Sequence, residues 1–207
     1  MSSTAVIARA DDRIQRRVEH LMGMPISLAL RGRHAASAAG HEAWQAVIDQ
    51  LRHVDAIFST YRPDSIINRL DLGEFAVAEC PAEVAEVLTL GREAERVSGG
   101  AFSVELPTSD GRRRLDPSGV VKGWAAQRAS DFLAALDDTD FCLSAGGDIV
   151  CHTADPSRSA WRIGIEHPLS PNTLIAVAPI RSGAVATSGT AHRGAHLIDP
   201  RTGETPC

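Results

Sequence analysis

The hydrophobic pattern of this chain changes period near residue 140, and that switch limits the fold more than any other feature. Before it, apolar residues recur at steps of three and four. After it, short strand-like runs occupy 140–144, 148–152, 161–166, 173–180 and 183–187, parted by Gly, Pro, Asn and Ser. Helices interleaved with strands early, then consecutive short strands, predict an α+β fold with a mainly antiparallel sheet and packed helices. One strand is expected over 24–31, where Ile26, Leu28 and Leu30 alternate with Ser27, Ala29 and Arg31. A helix of about 20 residues then starts near His34, with Trp44, Val47, Ile48, Leu51, Val54 and Phe58 along one face. Asp64 or Ser65 caps a short helix through Leu70. Pro81 opens the next, whose stripe is Val84, Val87, Leu88, Ala94 and Val97, and Gly99-Gly100 stop it. Residues 103–118 read as loop, with Arg112-Arg113-Arg114 in a solvated turn. A last helix runs from Gly119 to about Leu136, with Ala125, Ala129, Phe132, Leu133 and Leu136 on one face.

At 207 residues and 43% hydrophobic, the chain is expected to form a single domain over 1–207. A net charge of −5 gives no basis for phosphate-backbone binding, so nucleic acid is not an expected partner. The longest uncharged apolar stretch is about eight residues, within MGMPISLAL, far short of a bilayer span. The N-terminal MSSTAVIARADDRIQRRV has no signal-peptide core and no lipoprotein Cys, so a cytoplasmic location without a membrane anchor is expected. The cysteines at 80, 142, 151 and 207 have neither metal-clip spacing nor the density of a disulfide framework. Cys142 and Cys151 read as buried thiols.

Four glycine-bearing segments are candidates for chemistry. Ser98-Gly99-Gly100-Ala101-Phe102 is either a helix C-cap or a bare backbone against which a flat ligand lies. Leu115-Asp116-Pro117-Ser118-Gly119-Val120-Val121-Lys122-Gly123-Trp124 is a helix N-terminus in which Asp116 or Ser118 caps. Lys122 opposes the helix dipole there unless an anion, or a carboxylate such as Asp116, sits beside it. The P-loop spacing is absent. Ser144-Ala145-Gly146-Gly147-Asp148 is a hairpin turn or a ligand wall. The fourth is Ala186-Thr187-Ser188-Gly189-Thr190, followed by His196-Leu197-Ile198-Asp199-Pro200-Arg201-Thr202-Gly203. His196 is either an ordinary histidine or a base near the turn.

Taken together and in order, MGMPISLAL, FSTYRPDSIINRLD, SGGAF, LDPSGVVKGWAAQRA, SAGGDI, WRIGIEHP and AVATSGT…HLIDPRTG resemble the FAD:protein FMN transferase (ApbE) family from about Met22 to Gly203. The version here resembles a compact branch, abbreviated between SGGAF and LDPSG. The resemblance implies that FAD is the substrate and Mg²⁺ the metal. A Ser or Thr hydroxyl of an acceptor flavoprotein attacks the FMN-side phosphorus, and AMP leaves. It implies FAD contacts at Met22, Tyr61, Ala101, Phe102, Asp116, Lys122 and Ile198, a metal contact through the Gly119 carbonyl, and His196 as general base. Lys122 falls where many members have Lys and others Glu, and Ser103 stands where the family's Ala-Phe-Asp has Asp. Family acceptors carry an Asp-x-x-Ser/Thr-Gly-Ala-Ser/Thr run, which this chain lacks.

Family members also continue into an Asp-Ala-x-x-Thr motif that binds Mg²⁺, whereas the sequence here stops at Glu204-Thr205-Pro206-Cys207. The expectation is a C-terminally truncated form that holds Mg²⁺ weakly, with Asp148 and Asp199 the only nearby substitutes. FMN transfer then stands beside two alternatives, FAD hydrolysis to FMN and AMP and non-catalytic flavin binding.

Overall fold

The structure, a computed structural model, describes residues 13–108, 110–189 and 197–205. Its first hairpin joins β1 (Gln15–Leu21) to β2 (Met24–Gly32) through a two-residue turn. Met22 and Gly23 both have positive φ, 55° and 69°, the mirror-image turn that suits the right-handed twist of the strands. α1 (Ala38–Phe58) begins four residues after His34, because Ser37 is the residue whose side chain accepts the Gly40 N–H, at 3.2 Å. Its expected face is buried throughout, from Trp44 to Phe58. α2 (Ile66–Asp71) is capped by Ser65, which accepts from the Asn68 N–H.

α3 (Ala82–Val97) follows with Pro81 one position outside it, and Gly99 and Gly100 end it at φ 61° and 80°. Val97 is exposed rather than in the core. The buried stripe instead passes through Gly91, where the absent Cβ leaves room for Val104. The segment expected to be loop holds a small hairpin, β3 (Glu105–Pro107) paired with β4 (Arg113–Leu115). Its arginines are ion-paired as well as solvated: Arg112 to Asp110, Arg113 to Glu105 and Arg114 to Asp116. α4 (Ser118–Ala134) stops two residues before Leu136. Its buried face is Val121, Ala125, Ala126, Ala129, Ser130 and Leu133, with Phe132 turned outward.

The remaining strands are β5 (Thr139–Ala145), β6 (Asp148–His152), β7 (Trp161–His167), β8 (Ser170–Ile180) and β9 (Gly183–Val185). The main sheet has the order β1-β2-β5-β6-β9, and every pairing in it is antiparallel. α1 and α4 cover one face, burying Ile26, Leu28, Leu30, Phe141 and Leu143 beneath Val47, Ile48, Leu51 and Ala125. On the other face Ala29 and Cys151 meet Trp161 and Ile163 of the separate β7–β8 ribbon. The fold is α+β, as the period switch implies. Among the described residues, no helix is long and apolar enough to cross a membrane.

Candidate functional site

Strand register brings the candidate segments together at one end of the sheet. Ile26 pairs with Ala145 and Ile149 with Val185, so the Met22–Gly23 turn, the Gly146–Gly147 turn and Thr187 lie at the same end. Gly146 and Gly147 take φ of 58° and 97°, a hairpin turn in which both glycines are required. A Cβ on Gly146 would collide with the Met24 side chain, and one on Gly147 would meet Thr187 at 3.9 Å. The hairpin reading of the Gly-Gly segment holds, and Met24 and Thr187 of this chain lie against it.

The N-terminus of α4 closes against this wall. Lys122 Nζ lies 3.2 Å from Asp148 Oδ2, both side chains largely buried, and the Thr187 N–H donates to Asp148 Oδ1 at 3.2 Å. The anion beside Lys122 is therefore Asp148. Asp116 faces elsewhere: it pairs with Arg114 at 2.9 Å and accepts the Ser118 N–H and hydroxyl. Sequence reasoning missed this Lys–Asp pair, although a carboxylate directly after Gly-Gly is its one local signal.

Phe102 packs over Gly119, whose Cβ would sit 2.7 Å from the ring's Cε2. The Ser98-Gly99-Gly100-Ala101-Phe102 segment is thus held against the helix start. Ser103 is buried and turned inward, where its hydroxyl accepts the Glu105 N–H at 3.1 Å. Met22 is half-buried against the core, and Ala101 is exposed. Tyr61 is 95% exposed in the α1–α2 loop and Ile198 is 41% exposed before the last turn. Neither belongs to the Lys122–Asp148–Thr187 group. That last turn closes through the Gly203 N–H to the Asp199 carbonyl, and Gly203 lies against Pro107 of β3. Arg201 holds the Asp199 carboxyl down to about 2, by its side-chain hydrogen bond and then by the Arg201 backbone N–H. His196 lies outside the described residues.

Magnesium demands a near-octahedral oxygen shell. Of the carboxylates expected to substitute, Asp148 is engaged by Lys122 and Thr187, and Asp199 by Arg201. Among the described residues no group of three or more His, Cys, Asp or Glu is placed to hold a metal. These donors do not compose a magnesium site.

The site sets bare glycine backbone and the Phe102 ring near an ammonium that is paired with Asp148. The FAD:protein FMN transferase of Vibrio cholerae is 25% identical over 221 residues, covering 80% of this chain and 66% of the relative. That of Haemophilus influenzae is 23% identical over 228 residues, covering 82% of this chain and 65% of the relative. The chain thus spans just under two thirds of the length of these relatives. The apo structure of Pseudomonas stutzeri flavinyl transferase ApbE superposes with a TM-score of 0.76 at 20% identity, over 97% of this chain and 78% of that one. The model of the ApbE family matches residues 22–108 and 104–206, and the chain belongs to that family.

Proposed function

We propose that this chain binds FAD at the end of the sheet where α4 meets the β5–β6 turn, and transfers its FMN half to a Ser or Thr hydroxyl of an acceptor protein. Family membership supports the reading, as do relatives named FAD:protein FMN transferase. The observation that carries it is the Lys122–Asp148–Thr187 group, which gathers three of the four glycine segments around one carboxylate and its ammonium partner. In the reaction, the acceptor oxygen forms a bond to the FMN-side phosphorus. The bond from that phosphorus to the bridging oxygen breaks, AMP leaves with the oxygen, and the hydroxyl proton passes to His196. Such transfers depend on positioning and charge neutralisation more than on covalent chemistry.

In this reading Lys122 faces the pyrophosphate, Met22, Ala101 and Phe102 border the flavin side, and Asp116 fixes the helix start. Tyr61 and Ile198 close over the ligand from the two exposed loops. Magnesium dependence enters this reading from the family alone, since the donors described above do not compose its site, and no step above runs through the ion. A cytoplasmic setting also belongs to this reading, as the sequence leads one to expect.

The test is mass spectrometry of a candidate acceptor after incubation with this protein, FAD and Mg²⁺. Gain of one FMN on a Ser or Thr is the expected result. Free FMN with AMP would make water the acceptor, and unchanged FAD would leave flavin binding without transfer. FAD should also bind more tightly than riboflavin in a fluorescence titration, and equal affinity would count against a pyrophosphate contact.

A further inference from the structure

Cys142 and Cys151 face one another directly across the β5–β6 ladder, on the side of the sheet turned away from α1 and α4. Directly opposed residues of antiparallel strands have Cα atoms about 4.5 or 5.5 Å apart. A disulfide spans about 4.4–6.8 Å between Cα atoms, so either kind of pair allows a bond without moving a strand. Both thiols are free, and no reaction proposed for the FAD site uses them.

Their surroundings make them unequal. Cys151 is 3% exposed beneath Trp161, whereas Cys142 is only half-buried. The Cys151 thiol beside it holds the Cys142 thiol below its ordinary value against the effect of burial, and the Arg16 guanidinium adds to that. Arg16 stands on the same cross-strand row, opposite Ala29, which is opposite Cys142. The Cys142 neighbour and burial push the Cys151 thiol up. One thiol is thus the more exposed of the two, and the other is withheld from solvent directly opposite it. Reactive cysteines have the first environment, and attack requires the thiolate.

We propose that Cys142 and Cys151 form a reversible dithiol–disulfide site whose oxidant is a low-molecular-weight disulfide. The Cys142 thiolate attacks one sulfur of the reagent, forming a mixed disulfide and expelling the other sulfur as a thiolate, which takes up the proton lost by Cys142. Cys151 then loses its proton and attacks the Cys142 sulfur. The protein disulfide forms, and the second reagent sulfur leaves and is protonated. The protein dithiol is oxidised by two electrons, and one reagent disulfide is reduced to two thiols. The cross-link lies within the hairpin that carries Asp148 at its tip, and it is independent of the proposed reaction with FAD.

Oxidised glutathione is the probe. The native 207-residue protein is incubated with it, free thiols are alkylated, and the digest is mapped by mass spectrometry. The expected product is a linked Cys142–Cys151 peptide, an intact mass lower by two hydrogens, and full reversal by dithiothreitol. Cys151→Ser should trap glutathione on Cys142, and Cys142→Ser should leave Cys151 unmodified. Both variants are checked for native circular dichroism. For a variant that does not fold, the rate of alkylation in the native wild type decides: Cys142 should react well ahead of Cys151. Complete alkylation of both thiols after oxidant, glutathione that stays on Cys142 in the wild type, or equal alkylation rates would each overturn the proposal.

Discussion

Lys122 is the fifth residue of α4, near the end where a cation opposes the helix dipole, and its ammonium is compensated 3.2 Å away by Asp148. That pair separates two roles for the lysine. If Lys122 only neutralises Asp148, Lys122→Met costs fold stability and leaves flavin affinity alone. If it also faces the FAD pyrophosphate, affinity falls by about tenfold or more, since hydrogen bonds to charged groups contribute about 1.5–3 kcal/mol. The second outcome is expected in a fluorescence titration of FAD, and unchanged affinity would assign Lys122 to Asp148 alone. Lys122→Glu should be worse on both counts, because it sets a carboxylate against both Asp148 and the phosphates. His196 makes the complementary case. As general base it acts on the chemical step, so His196→Ala should lower turnover by about 10²–10⁴-fold with FAD affinity nearly unchanged. Loss of FAD binding in that variant would reassign the residue to ligand packing.

At the scale of elements, the caps and first turns are the places where single side chains decide structure. Ser37 fixes the start of α1 through its bond to Gly40, so Ser37→Ala should cost about 1 kcal/mol in urea unfolding. Glu83, in the first turn of α3, is held below the usual carboxylate range by its own backbone N–H and then by His53 of α1. A depressed carboxyl contributes stability that is present above its unfolded value of 4.5 and lost as pH falls through the lower folded value. Glu83→Gln should therefore flatten part of the fall in Tm below pH 4.5, and an unchanged profile would show that the contact with His53 is idle. These elements also show what periodicity can reveal. α1 was legible because its six apolar positions all face the core, and the late strands because turn residues punctuate them. β1 was not, since it is an edge strand that turns Gln15, Arg17 and Glu19 inward and leaves Val18 61% exposed. β3 and β4 are three residues each, too short for a period to register. The glycine segments of the site were visible locally. The partner of Lys122 was not, because strand register and not sequence proximity brings Asp148 to it.

Across the whole molecule, the end of the sheet opposite the glycine turns is where the second layer is fastened. Asp140 is fully buried and accepts from Arg31 Nε at 2.8 Å, Arg158 Nη1 at 3.0 Å and the Ala154 N–H at 2.8 Å. Arg31 also lies over the Trp161 ring, 4.4 Å from its centroid, so one carboxylate ties β2 and β5 to the start of the β7–β8 ribbon. A buried pair of this kind adds little against an apolar substitute, but removing one partner strands the other charges. Asp140→Ala leaves two guanidinium groups facing each other in a desolvated space, and the expected loss is about 3–5 kcal/mol in urea unfolding. Asp140→Asn keeps an acceptor for the Ala154 N–H and should lose less. The decisive comparison is the double variant Asp140→Ala/Arg31→Met, which removes one stranded charge and keeps apolar volume over Trp161. It should be more stable than Asp140→Ala alone, because the two substitutions share one network and do not add. Additive losses would mean that Arg31 is held by its stacking on Trp161 and not by Asp140, and that the carboxylate is not what fastens the ribbon.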